Sequence, residues 1–216
     1  MKPAVVLHYA WFAARALGVL RPRLGPVFRV EGRAVALTVD DGPHPEWTPP
    51  LLDLLARHDV RATFFLIGDR VRERPDLARR VADAGHVLGN HSMTHPHPFA
   101  ALTPGSIEDE IAGAQDAVVE ATGVVPRVFR APSGNWSPAV LRAAARHRLT
   151  PVDWAVNPSD WRSPGTAHIE RVLSRSRPGH IMLCHDGGGD RSQTIAALAQ
   201  VLPRLRARGL TFATLG

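Results

Sequence analysis

Five short stretches of this 216-residue chain carry residue types that could do chemistry together. Thr38-Val39-Asp40-Asp41-Gly42-Pro43 sets two adjacent carboxylates at the end of an apolar run, before a Gly-Pro turn. Alone, such a pair is most often turn chemistry. His91-Ser92-Met93-Thr94-His95 spaces two imidazoles four residues apart, and one turn of helix would put both on one face, suited to a single metal ion. A carboxylate from another strand would complete a two-His, one-carboxylate set. Such a set leaves a coordination position open for water, as catalytic zinc requires. Mixed nitrogen and oxygen ligands suit zinc, cobalt or nickel better than calcium. Arg130-Ala131-Pro132-Ser133-Gly134, Asp160-Trp161 and Leu183-Cys184-His185-Asp186 add a guanidinium, further carboxylates and an imidazole. Cys184 is not read as a nucleophile. Neighbours in a strand point to opposite faces, so a functional His185 leaves Cys184 facing the core as a small apolar residue.

These stretches need a scaffold that brings them to one place. Apolar runs predict strands at 34–39, 61–66, 86–89, 127–131, 150–154, 180–184 and 210–214, with helical patterns between them. Thr48-Pro49, Thr103-Pro104, Ser137-Pro138 and Ser163-Pro164 each read as a cap followed by a first-turn proline. The clearest apolar helix face is Ile107, Ile111, Ala114 and Val118; Gly85, Gly123 and Gly209 close helices. Seven β/α units with near-continuous apolar strands imply an α/β fold, a parallel sheet covered by helices. A barrel is favoured over an open sheet, a choice that periodicity alone does not make; no glycine-rich phosphate loop follows the first strand, so a nucleotide-binding open sheet is not indicated. In such folds function gathers beyond the C-terminal ends of strands. All five stretches fall there, which packing alone does not predict.

Composition sets the outer bounds. The chain is 44% hydrophobic, enough for a substantial core, and shows no repeat or linker, so residues 31–216 are expected to form one domain. Its net charge is +6 and its pI about 11.0, but the arginines are scattered among acids and only 6% of residues are aromatic. No nucleic-acid surface is read from that pattern. The single cysteine excludes an intrachain disulfide. Pro3 to Leu20 is apolar except for His8 and Arg15. An arginine near mid-span costs roughly 2.5–3.5 kcal/mol on insertion scales. Residues 1–30 are therefore expected to be a helical extension that covers one end of the fold or touches a membrane surface. With no convincing cleavable signal, the expected location is cytoplasmic or associated with the cell surface.

The five stretches, in this order, resemble the motifs TFDDGP, HSxxH, R-[AP]-P-[YF]-G, D-W and LxH of the NodB-homology polysaccharide deacetylases, carbohydrate esterase family 4. The resemblance runs from about Ala34 to Thr214. It implies a distorted, incomplete (β/α)7 barrel and a metal-dependent hydrolase. That hydrolase would remove N-acetyl groups from an N-acetylated, peptidoglycan- or chitin-like carbohydrate and release acetate. It further implies that Asp41, His91 and His95 hold a divalent metal, zinc before cobalt or nickel. Asp40 would be the general base acting on water, paired with Arg130. His185 would protonate the leaving amine, paired with Asp160. The backbone N–H of Ser133 would help stabilise the oxyanion, and Trp161 and Leu183 would wall a pocket for the acetyl methyl. No stable protein partner is implied. Val39, Ser133 and Asn157 depart from the usual Phe, aromatic and Asp, which bears on substrate choice. Three alternatives accompany this reading: an O-deacetylase of acetylated xylan, a catalytically silent carbohydrate-binding scaffold, and a basic nucleic-acid-binding protein that shares only the fold.

Overall fold

The structure, a computed structural model, describes residues 25–216. The helix expected over Pro3 to Leu20 lies outside the described residues. Residues 25–30, counted above with the helical extension, are not helical: Val27 bridges Val152 and Arg29 bridges His180.

The central strand is β1, Ala34–Gly42, a run of small and β-branched residues buried on both faces. β2 (Thr63–Leu66) pairs with its C-terminal half and β7 (Thr211–Ala213) with its N-terminal half, while β6 (Ile181–His185) lies along its other edge. β3 (Val87–Asn90), β4 (Val128–Phe129) and β5 (Thr150–Pro151) continue the sheet beyond β2, every pairing parallel. The seven strands match the seven expected from sequence, with β2, β4, β5 and β7 shorter. Pro151 has no N–H for a ladder, and the chain beyond it leaves to form single bridges, Val152 with Val27 and Val156 with Met182 of β6. These bridges bring the two ends of the sheet together, so the barrel is curved and incomplete rather than a regular closed ring.

Strand alternation sorts the two faces. Val35, Leu37 and Val39 of β1, with Phe64, Met182 and Cys184, pack outward against the helices. Ala36, Phe65, Val128 and Ile181 fill the barrel interior. The outward, fully buried position of Cys184 agrees with its reading as a core residue.

The helices are α1 (Thr48–Arg57), α2 (Gly68–Glu73), α3 (Pro75–Asp83), α4 (Pro104–Thr122), α5 (Pro138–Arg146), α6 (Thr166–Leu173) and α7 (Ser192–Ala207). α4 packs against α2, α3 and α5, and α7 against α6 and α1. Thr103 and Ser137 cap α4 and α5 by accepting from Ser106 N and Val140 N. The other two expected caps differ. Thr48 lies inside α1, and its hydroxyl binds His44 N–H and Asp186 instead. Ser163 ends a short 3-10 turn, and α6 starts after Gly165. Among the described residues no helix is long and apolar enough to cross a membrane.

Candidate metal and acid–base site

Asp40 and Asp41 cannot both face the barrel interior in a regular strand, because successive side chains alternate. Asp40 continues the inward series of Ala36 and Thr38. Asp41 joins it through a bulge: the β1–β2 register shifts between Asp40 and Gly42, and Asp41 has φ +72°. Close packing holds the bulge. A Cβ on Gly42 would run into the carboxylate of Asp186, and one on Gly187 into the carbonyl of Asp41. Asp186 in turn accepts from Thr48 Oγ1 at 2.5 Å.

His91 and His95 follow β3, but not on the expected turn of helix. Residues 91–98 form a loop in which Ser92 and His95 have positive φ. Side chains shape it: Asn90 Oδ1 accepts from Ser92 N, and Ser92 Oγ accepts from His95 N. Glu110 on α4 accepts from Met93 N at 2.9 Å, Thr94 N at 2.8 Å and Thr94 Oγ1 at 2.7 Å. The loop brings the imidazole centroids to 5.0 Å and points Nε2 of both rings at Asp41 Oδ1, at 3.4 and 3.5 Å. His91 Nδ1 donates to Arg130 O at 2.8 Å, which leaves Nε2 as the lone-pair nitrogen.

The three residues fit a metal ion. Asp41 Oδ1 is buried yet has no hydrogen-bond partner among the described residues, and one donor atom from each of Asp41, His91 and His95 lies within 4.8 Å of the others. Burial would raise the Asp41 carboxyl, but His91, His185 and His95 outweigh it and hold it well below the usual carboxylate range. Burial, then His91, pulls the His95 imidazole down against Asp41 and Asp40, toward the neutral form that ligates.

Two ion pairs flank this trio. Arg130, fully buried inside the barrel, donates to Asp40 Oδ1 at 2.7 Å, Thr38 Oγ1 at 2.8 Å and Asp153 O at 3.1 Å. Its guanidinium lies 4.2 Å from the Phe65 ring centroid. The other oxygen of Asp40 is 3.7 Å from His91 Nε2. On the far side, Asp160 Oδ1 meets His185 Nδ1 at 2.7 Å, while its Oδ2 accepts from His185 N at 2.9 Å and Thr194 Oγ1 at 3.0 Å. Burial lowers the His185 imidazole, but the bond and charge of Asp160, with Asp41 and Asp40, raise it to about 9. Asp40 and His185 are register partners across β1 and β6, so base and acid candidates stand side by side at one strand end.

Asp40, Asp41, His91, His95 and His185 line one cavity of about 350 Å³, while Arg130 and Asp160 stand buried behind Asp40 and His185. Ser133 lines it from a left-handed position, φ +54°, and Leu183 and Trp161 line it as expected, Trp161 half exposed. Several contributors escaped the sequence reading. Trp154 also walls the cavity, packed over Gly134. Asp153 is buried where it accepts from Trp136 Nε1 at 2.9 Å; burial lifts it to about 7 against the pull of Arg130. Asp186, which the sequence reading did single out, is likewise lifted by burial to about 7, offset in part by the Thr48 bond. Glu110 sits among the apolar positions of α4 without a motif to flag it. Arg191 lies two residues past Gly187-Gly188-Gly189, with no motif to flag it.

Comparison with known proteins gives three kinds of match. A family model described as polysaccharide deacetylase matches residues 29–152. A chitooligosaccharide deacetylase of Bradyrhizobium sp. (strain ANU 289) is 43% identical over 190 residues, covering 82% of this chain and 86% of that protein. A solved peptidoglycan N-acetylglucosamine deacetylase, in complex with an N-hydroxybenzamide, superposes with a TM-score of 0.84 at 34% identity, covering 88% of this chain and 90% of that one. A carbohydrate esterase family 4 pseudoenzyme from Bacillus anthracis superposes at 0.83 with 31% identity, over 92% of this chain and 69% of that one.

Proposed function

This chain belongs to the polysaccharide deacetylase family, and from that premise and its site we propose that it removes N-acetyl groups from an N-acetylated glycan and releases acetate. The observation that carries the reading is the orphaned Oδ1 of Asp41 facing two imidazole nitrogens, with one ion pair on either side. A pseudoenzyme shares the fold, so the fold alone does not make the case; the assembled site does.

Asp41, His91 and His95 would hold a divalent cation, zinc by the donor set. When bound, that cation lowers the pKa of water and polarises the acetamide carbonyl. Asp40, fixed by Arg130, takes the proton of the attacking water on its free oxygen. Asp160 holds His185 with Nδ1 protonated, so that Nε2 faces the cavity and gives its proton to the departing nitrogen. Breaking the amide C–N bond with one water then yields acetate and a free amine on the sugar. Ser133 offers its backbone N–H to the carbonyl oxygen, and Leu183 and Trp161 exclude water around the methyl.

The identity of the relatives favours the amide over the ester reaction, since they are named for N-acetylated glycans. Acetate release from N-acetylglucosamine oligomers is expected, lost on chelation and restored by zinc or cobalt. Acetate release that chelation leaves untouched would overturn the ligand assignment, and release only from acetylated xylan would overturn the amide reading.

A further inference from the structure

Arg191 lines the cavity but has no part in the chemistry above. Its side chain is 2% exposed. Nε donates to Gly187 O at 2.8 Å, and NH1 donates to Asp160 O at 3.3 Å and Asp190 O at 3.2 Å. All three acceptors are backbone carbonyls. The Asp160 carboxylate is turned away to His185 and Thr194, and among the described residues no carboxylate forms an ion pair with Arg191. Among the described residues no hydrogen bond reaches NH2. A methyl on Gly188 would lie 3.5 Å from that nitrogen and 3.3 Å from Asp41 Oδ2, so Arg191 and the metal-ligand carboxylate border one patch of cavity wall. Asp190 feels the Arg191 charge only beyond ion-pair distance; a buried guanidinium with no direct ion pair is costly, and its removal from water is offset when an anion meets it. The two braces to Gly187 and Asp160 fix its geometry in advance, so little side-chain entropy is lost on binding. The net charge of +6 favours approach of an anionic polymer.

We propose that Arg191 is an anion subsite of the cavity that reads a carboxylate carried by the glycan on or next to the reacting sugar, making acidic N-acetylhexosamine strands the preferred substrate class. This rests on the deacetylase reading and adds a substrate preference to it. A lactyl ether at O3 of an N-acetylhexosamine, next to the N-acetyl carbon, has the required chemistry. The contact is a single-nitrogen, charge-assisted hydrogen bond.

The test uses one tetrasaccharide of alternating N-acetylglucosamine and N-acetylmuramic acid, with its lactyl carboxylates free or methyl-esterified. Binding to metal-free protein is measured by calorimetry, and KM by acetate release from the zinc-loaded protein. The free acid is expected to bind about tenfold more tightly than the ester, the scale of one charged hydrogen bond. Arg191→Met should bring the ratio near one, and Arg191→Lys should retain part of it. A wild-type ratio near one overturns the proposal, whether or not Arg191→Met folds. So does an Arg191→Met protein that loses turnover on both ligands alike yet still binds the acid tenfold better, because Arg191 would then only brace the Asp160 turn. Acetate release from the neutral N-acetylglucosamine tetramer tests the deacetylase reading separately, so the two failures are distinguishable.

Discussion

Adjacent carboxylates with different neighbours predict different mutant phenotypes. Asp40 is tied to Arg130, while Asp41 faces the imidazoles. Asp40→Asn should therefore keep bound zinc and lose turnover by about 10²–10⁴-fold, the range for loss of a positioned base. His95→Ala should lose the metal, measured by elemental analysis after dialysis; zinc retained at full stoichiometry would refute the ligand set. The His185–Asp160 pair predicts a pH effect. With the imidazole raised to about 9, His185 stays protonated through neutral pH, and activity should fall as pH rises through that value. A bound dication would repel the imidazolium and draw this limb lower. Asp160→Asn removes the main attraction, so the alkaline limb of kcat/KM should move to lower pH. A limb at the same pH in both proteins would show that His185 is not the proton donor.

At the level of elements, the site depends on two irregular stretches, the bulge ending β1 and the loop after β3. Neither obeys the local rule its sequence suggests. The loop is held from α4 by three bonds to Glu110. Glu110→Ala should weaken zinc affinity by about 10–100-fold, as removal of groups that orient ligands does, with only a small change in Tm. A competition titration with a chelating dye would measure this. Unchanged affinity would mean that the loop is set by Asn90 and Ser92 alone.

Across the whole molecule, the barrel buries carboxyl and imidazole groups whose protonated forms the fold favours. Asp153 and Asp186 are raised to about 7 and His185 to about 9. A raised group adds stability that is full below its unfolded pKa, 3.8 for the carboxyls and 6.5 for the imidazole, and that is lost as pH climbs through the folded value. Asp41, depressed, acts oppositely and loses its contribution only in acid. The depressed imidazoles of His86 and His95 act the other way below about pH 6.5, so the clear sign lies above neutrality: the metal-free protein should melt progressively lower from pH 7 toward pH 9 as His185 loses its proton. Calorimetric scans in chelator at pH 7, 8 and 9 check this; a Tm that rises over that interval would contradict the His185–Asp160 pair.

The strand order in sequence, the seven apolar runs and the identities of the five polar stretches were legible from residues alone, because strand burial and turn chemistry are written locally. So was the outward fate of Cys184, which follows from alternation beside His185. The same alternation rule separates Asp40 from Asp41, and only tertiary contact overrides it: Asp186 and Gly187, from 145 residues onward in the chain, pack against the bulge at Asp41 and Gly42. The helix expected at His91 and His95 gave way to a loop for a similar reason, since Glu110 supplies from α4 the acceptor that a helix would have found in its own backbone. Thr48 left its cap for Asp186. Arg191 had no local signal, because its role depends on which carbonyls and which cavity wall come to surround it. Short-range physics named the reactive groups; where they point was decided by neighbours distant in sequence.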